Sequence, residues 1–148
     1  MNMKTQVFFV LLFTFSVVSF SILDTGADVL LGVWWNHEKD AHIEIYKCEN
    51  QYCGKIVWLE EPNEDGAPKK DKHNPEESMQ TRPLMGLNIL NGFEFKEEGS
   101  WVDGKIYNPR DGKTYSCYLK LLDDGKLKVR GFVGISLIGK TQFWERVN

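Results

Sequence analysis

Short runs of alternating apolar and polar residues, each ending at Gly, Asn or Asp, constrain the fold more than any other feature of this chain. No long stretch of 3.6-residue apolar periodicity follows residue 28. Runs with the length and composition of β-strands cover residues 32–36, 43–47, 55–59, 87–96, 101–107, 113–122, 126–132 and 141–147. The pattern predicts an all-β protein.

The turns and the side-chain alternation indicate how these strands pair. Asp-Gly pairs at 103–104, 111–112 and 124–125 are typical of tight hairpin turns, because both residue types tolerate positive φ. Cys117 and Leu119 fall on one face of their strand, and Ser116 and Tyr118 on the other. About eight such strands bury their apolar faces most simply as one antiparallel up-and-down β-barrel, predicted over residues 28–148.

Residues 60–83 break the pattern. They contain four of the five prolines and few apolar side chains, which predicts a lid, a binding loop or a linker rather than a strand. Within this segment Asn74 is placed as a helix N-cap, with Pro75 at the first helical position and two glutamates in the first turn. We therefore expect a short helix that ends near Gln80.

The first 23 residues have the pattern of a secretory signal peptide: Lys4, an apolar run over 7–18, and small residues near the end. A membrane anchor is the alternative. The run is shorter than the roughly 20 residues of a spanning helix, and no basic cluster follows it. The sequence predicts cleavage between residues 21 and 27, export to the periplasm or the extracellular space, and no stable membrane anchor afterwards.

Export permits disulfide bonds, which changes how the three cysteines are interpreted. Cys48 and Cys53 flank the loop ENQY between two strand-like runs, and a disulfide across this loop is the preferred interpretation. A zinc site is the alternative, but the sequence supplies no four ligands at zinc-site spacing. Cys117 alternates with apolar residues and is expected to be a buried free thiol.

Several kinds of chemistry lack support in the sequence. The net charge is −3 with no basic cluster, which argues against nucleic-acid binding. His37, His42 and His73 do not have metal-site spacing, no Ser or Cys occupies a nucleophile elbow, and no Gly-rich phosphate loop precedes a helix. The adjacent carboxylates lie at turns among polar neighbours. We predict no catalytic residue, no metal and no cofactor.

Aromatic residues make up 13% of the chain and include five tryptophans. In a small barrel they either fill the interior or line a cavity for an apolar molecule, and the composition leaves both alternatives open. A closed barrel brings the first and last strands together, so we expect the Arg146 guanidinium to stack on the Trp34 indole. Alternation turns Trp35 to the opposite face.

Several ordered motifs between residues 32 and 147 are similar to an exported bacterial family, domain-of-unknown-function family 2147. They are GVW, CENQYCGKIVWLEEP, DKHNPEESMQTRPLMGLNIL, GKIYNPRDGKTYSCYLKL and LKVRGFVGISLIGKTQFWERV. The resemblance implies a lipocalin-like or streptavidin-like barrel and no established activity. Gly32-Val33-Trp34 with Arg146 is similar to the calycin pattern of a first-strand Gly-x-Trp and a last-strand arginine. The family pattern also fixes three polar residues of the long loop: Asp71, Asn74 and Arg82.

The leading hypothesis is an exported module that binds a small, mostly apolar ligand under the long loop. The residues predicted to bind it are Trp58, Asp71, Asn74, Arg82, Trp101 and Tyr115, while Gly32, Trp34 and Arg146 are assigned structural roles. The alternative is a structural or protein-interaction module of the cell envelope with a packed core and no ligand. A third hypothesis is an enzyme that uses Asp71, His73 and Arg82 at the barrel mouth.

Overall fold

The computed structural model of the protein describes residues 26–148, so the predicted signal peptide over 1–23 lies outside the described residues. Ten strands are present in this part of the chain. They are β1 (Gly32–Trp35), β2 (Ala41–Cys48), β3 (Gln51–Leu59), β4 (Asn63–Glu64), β5 (Ala67–Pro68), β6 (Asn88–Glu97), β7 (Ser100–Asn108), β8 (Lys113–Leu121), β9 (Leu127–Phe132) and β10 (Gly139–Arg146).

Eight of these strands form a closed barrel in the order β1-β10-β9-β8-β7-β6-β3-β2, and all neighbours are antiparallel. This confirms the predicted all-β, up-and-down barrel. β4 and β5 form a separate hairpin within the long loop. The helical elements in residues 26–148 are two 3-10 turns, Asp28–Leu30 and Glu77–Met79, and no helix there is long and apolar enough to cross a membrane.

The barrel closes where β1 meets β10, and Trp34 lies opposite Arg146 at this seam. The Arg146 guanidinium carbon is 4.2 Å from the centroid of the Trp34 ring, and its two terminal nitrogens donate to the carbonyls of Leu31 (2.8 Å) and Val29 (2.6 Å). Gly32 has φ +124°, and a Cβ there would lie 2.8 Å from the same guanidinium. The Gly-x-Trp and arginine pattern therefore forms one packed unit.

The segment before β1 covers one end of the barrel. The Trp34 indole N–H donates to the Leu30 carbonyl (3.0 Å), and the Trp101 indole N–H donates to the Ala27 carbonyl (3.2 Å). The Asp28 carboxylate accepts hydrogen bonds from Lys47 and Tyr52, which lower the pKa of Asp28. We call this end the closed end.

The cysteines have the predicted states. Cys48 and Cys53 form a disulfide between β2 and β3. Cys117 is a free thiol in β8 and is buried between β7 and β9. The same strand confirms the predicted alternation, because Cys117 and Leu119 face the core.

Asp103-Gly104 was expected to be a hairpin turn, and this prediction is wrong. The pair lies inside β7, where the register with β8 shifts between Trp101 and Gly104, so that it forms a β-bulge. Asp103 has φ +60°, and a Cβ on Gly104 would overlap the Phe93 ring. An Asp-Gly pair satisfies the conformational needs of a bulge as well as those of a turn.

The predicted short helix ending near Gln80 is present as the 3-10 turn Glu77–Met79 with Gln80 at its C-terminal end, but its predicted start is wrong, because Glu76 before it is extended. Asn74 is not its N-cap: the Asn74 Oδ1 accepts from the Glu76 N–H, and its amide nitrogen donates to Asp71. The loop also contains the β4–β5 hairpin. Its turn uses Asp65 and Gly66 at φ +51° and +78°, an Asp-Gly signal present in the sequence.

Substitution of Arg146 tests the importance of the seam. Arg146→Met removes two charge-assisted hydrogen bonds and the contact with Trp34, and we expect it to lower the free energy of unfolding by about 2 kcal/mol. Arg110, an exposed arginine that pairs with Asp40, is the matched control, and Arg110→Met should cost less than about 1 kcal/mol. Urea unfolding measures both. Equal losses in the two variants would contradict the assignment.

The buried thiol gives a second prediction. Burial raises the pKa of Cys117 to about 12, so that at pH 8 only about one thiol in ten thousand is ionised. We expect no alkylation of the folded protein by iodoacetamide, and a single alkylation after unfolding without reductant. Mass spectrometry counts the adducts; rapid labelling of the folded protein would show that the site opens.

Candidate functional site

The end of the barrel opposite the closed end opens into a cavity of about 900 Å³. The connections β1–β2, β3–β6, β7–β8 and β9–β10 all lie at this end, because the strands alternate in direction. The wall is built from inward-facing apolar side chains of six barrel strands and of the segment before β6. They are Ala41, Ile43, Ile56, Leu59, Leu84, Ile89, Ile106, Val129 and Trp144.

Charged side chains of both signs surround the mouth of the cavity. The acidic ones are Glu38, Asp40, Glu60, Glu61, Glu64 and Asp111, and the basic ones are Lys69, Lys70, Lys72, Arg110 and Lys140. Several pair with each other: Lys69 with Glu61, Lys72 with Glu64, and Arg110 with Asp40. The cavity is thus apolar inside and polar at the rim.

A buried carboxylate organises the long loop beside this mouth. Asp71 is fully buried, and its Oδ2 accepts from the Asn74 amide (2.9 Å) and from Arg82 Nε (2.9 Å) and Nη2 (2.8 Å). Its Oδ1 accepts from the Tyr107 hydroxyl (2.6 Å), which belongs to β7. We call Asp71, Asn74, Arg82 and Tyr107 the loop latch, because together they tie residues 60–83 to the barrel.

The backbone supports the same attachment. The Asp71 N–H donates to the Arg82 carbonyl, and Lys70 forms a β-bridge with Pro83, so that the loop returns on itself. At the β7–β8 turn Gly112 has φ +68°, and a Cβ there would overlap the His73 carbonyl. The turn glycine therefore lets the loop pack directly against the barrel.

Of the six residues predicted to bind a ligand, Tyr115 lines the cavity, and its hydroxyl donates to Asp111 (2.7 Å). Asp71, Asn74 and Arg82 come together in the loop latch but are not part of the cavity wall. Tyr107 is both a latch and a wall residue and so connects the two groups.

The two predicted tryptophans lie elsewhere. Trp101 is fully buried at the closed end, where it packs against Tyr52 and Phe95. Trp58 is on the outer surface of the barrel, 38% exposed, with His42 at 4.5 Å and Trp35 at 5.5 Å between ring centroids. The structure places neither residue in the cavity wall.

Trp144 is the tryptophan of the cavity wall, and it was not among the residues predicted to bind a ligand. Its indole N–H donates to Gln142, which also lines the cavity. The sequence contains a signal for this position, because alternation places Gln142, Trp144 and Arg146 on one face of β10. The register with β9 then places Gln142 opposite Val129.

The described residues contain no group of three or more His, Cys, Asp or Glu side chains placed to hold a metal ion. The third hypothesis required Asp71, His73 and Arg82 to converge. Asp71 and Arg82 do so, while His73 lines the cavity. Both oxygens of Asp71 already accept hydrogen bonds.

A closed eight-stranded antiparallel barrel with an interior cavity is the architecture of the lipocalin-like proteins. The structure is similar to that of the protein HP1028 from Helicobacter pylori, described as belonging to the lipocalin family. The TM-score is 0.71 and the sequence identity 26%, over 80% of this chain and 83% of that one. Residues 32–146 match the model of domain-of-unknown-function family 2147, described as uncharacterized protein conserved in bacteria.

The chain therefore belongs to domain-of-unknown-function family 2147. A comparison with curated proteins gives no match.

Tyr107 provides the test of the loop latch. Tyr107→Phe removes a donor from the buried Asp71 carboxylate, and we expect it to lower the free energy of unfolding by about 1 to 3 kcal/mol at neutral pH. Burial and the hydrogen bond to Asp71 raise the pKa of Tyr107. Above about pH 10 the unfolded chain loses this proton while the folded protein retains it, so the wild type loses stability that the variant does not.

The difference between wild type and Tyr107→Phe should therefore shrink as the pH rises above about 10. Urea unfolding of both proteins over this range measures it. Tyr46→Phe, which removes an exposed hydrogen bond to Asn88, is the control. A constant difference across the alkaline range would show that the Tyr107 hydroxyl is not coupled to Asp71.

Proposed function

We propose that this protein is an exported binding protein that holds a small, mostly apolar ligand in the barrel cavity. The observation that carries the proposal is the cavity itself, with a volume of about 900 Å³, one open end and a wall of apolar side chains. Binding sites for small molecules typically enclose about 300–1,000 Å³ and are lined mainly by hydrophobic and aromatic residues. The lipocalin-like fold supports the same function by analogy.

The distribution of polarity indicates the kind of ligand. Ile43, Val129 and Trp144 in the wall are almost fully buried and offer no charge, whereas the rim carries both acids and bases. A molecule with an apolar body and one polar end fits this gradient, because the body is removed from water while the polar end stays at the mouth.

Export rests on two observations. The Cys48–Cys53 disulfide is typical of proteins that fold in an oxidising compartment. The N-terminal segment has the pattern of a signal peptide. Both support a location in the periplasm or outside the cell.

The competing functions receive different support. An interaction module of the cell envelope is favoured by the exposed apolar side chains between β9 and β10, although the large cavity argues against a fully packed core. For an enzyme, the saturated hydrogen bonding of Asp71 favours a structural role of this carboxylate. We assign no catalytic residue and no cofactor.

A cavity-filling variant tests the proposal. Ile106→Trp places an indole in the cavity, and we expect it to weaken binding of a fluorescent fatty-acid probe at least tenfold, since the apolar volume is no longer free. Thr114→Trp is the matched control, because Thr114 is exposed on the outer face near the same end of the barrel. Fluorescence titration of protein stripped of bound lipid gives the affinities, and urea midpoints confirm that both variants fold.

The intrinsic fluorescence locates the bound probe. Trp144 is the tryptophan that lines the cavity, so a quenching ligand should act on Trp144 and still quench after Trp35→Phe and Trp58→Phe. Absence of probe uptake by the wild type, or equal affinities of Ile106→Trp and Thr114→Trp, would refute ligand binding in the cavity.

A further inference from the structure

The connection between β9 and β10 presents large apolar side chains to solvent. Val133 is 63% exposed, Ile135 58%, Leu137 84% and Ile138 66%, and they fall within six consecutive residues. We call residues 133–138 the apolar rim loop, since Val133 and Ile138 also line the mouth of the cavity. Soluble monomers rarely leave apolar side chains clustered in this way unless the surface binds something.

The carbonyls in the second half of the apolar rim loop are hydrogen-bonded within the protein. The Ile135 carbonyl accepts from the Ile138 N–H, and the Ile138 carbonyl accepts from the Val133 N–H. The Arg130 guanidinium donates to the carbonyls of Ser136 (2.9 and 2.6 Å), Leu137 (3.3 Å) and Gly139 (3.2 Å). All carbonyls from Ile135 to Gly139 therefore have donors.

The pairing of these carbonyls indicates what kind of surface the loop can bind. An unpaired backbone carbonyl costs several kcal/mol in hydrocarbon, so pairing of the carbonyls from Ile135 to Gly139 lowers the cost of bringing the loop to an apolar phase. The N–H groups of residues 134–137 have no such partner within residues 26–148, so the loop suits the hydrated headgroup boundary of a bilayer better than its hydrocarbon interior.

The charge of the same hairpin points in the same direction. Two cations, Arg130 and Lys140, lie next to the loop, and residues 129–144 contain no acid in a chain whose net charge is −3. Lys140 stands directly after the loop, and Arg130 lies beneath it. Apolar side chains flanked by cations are suited to the surface of a membrane with anionic lipids.

We propose that the apolar rim loop docks on an anionic lipid bilayer, with Ile135 and Leu137 inserted at the boundary between headgroups and acyl chains. Lys140 then lies at the headgroup level. The docked loop places the cavity mouth next to the bilayer, because Val133 and Ile138 belong to both surfaces. This inference goes beyond the proposed function and does not require that the cavity be occupied.

Co-sedimentation with vesicles tests the docking. We expect the wild type to bind vesicles of phosphatidylcholine with phosphatidylglycerol, and to bind phosphatidylcholine alone more weakly. Leu137→Ser should reduce the partition coefficient about tenfold or more, the effect of withdrawing one large apolar side chain from lipid. The matched control is Val29→Ser, an exposed apolar residue at the closed end, which should bind like the wild type.

A second measurement does not depend on loss of function. The buried Cys117 leaves a new surface cysteine as the reactive thiol, so Leu137→Cys and Val29→Cys each take one environment-sensitive fluorophore. The emission should shift to the blue with anionic vesicles for the label at position 137 and not for the label at position 29. Ile106→Trp, which fills the cavity, should bind vesicles like the wild type, which separates this test from that of ligand binding.

Three results would overturn the proposal. The first is no vesicle binding by the wild type, and the second is equal binding by Leu137→Ser and the wild type. The third is a concentration-dependent dimer on gel filtration that Leu137→Ser abolishes, with no shift of the label at position 137 on vesicles. That outcome would assign the loop to contacts between copies of the chain.

Discussion

The barrel depends on a short seam between β1 and β10. β1 has four residues, and its register with β10 pairs only Trp34 with Arg146 and Trp35 with Glu145. The Arg146 side chain strengthens this seam in addition to the backbone hydrogen bonds between the two strands. It donates to the carbonyls of Val29 and Leu31 and packs over the Trp34 ring. An open seam would leave β1 and β10 with unpaired edges, which closure of the barrel removes.

The seam also determines where the cavity lies. The segment bonded by Arg146 is the one that receives the indole N–H groups of Trp34 and Trp101, so three large side chains anchor it under the barrel. The packed half of the core sits above this segment. The opposite half has no such plug, and the long loop lies beside its mouth, tied to the barrel through a buried carboxylate.

Most of the fold could be predicted from the sequence, because alternation and turn residues act locally. The wall residue Tyr115 on β8 was identified, since the β8–β9 ladder has no register shift and alternation holds. Trp58 could not be placed in this way. The β2–β3 register shifts between His42 and Ile43, so that Ile56 faces inward and Trp58, two residues later, faces outward. Trp101 faces inward, but it lies at the closed end and not in the cavity wall. Alternation predicts the face of a side chain and not its position along the barrel axis.

The composition of the loop latch has a consequence for movement of the long loop. Of the hydrogen bonds to Asp71, those from Asn74 and Arg82 come from the loop itself, and only the one from Tyr107 comes from the barrel. The loop carries its own counter-ion. Movement of the loop away from the barrel would break the Tyr107 bond and leave the Asp71–Arg82 ion pair intact, so it would separate no opposite charges within the loop latch.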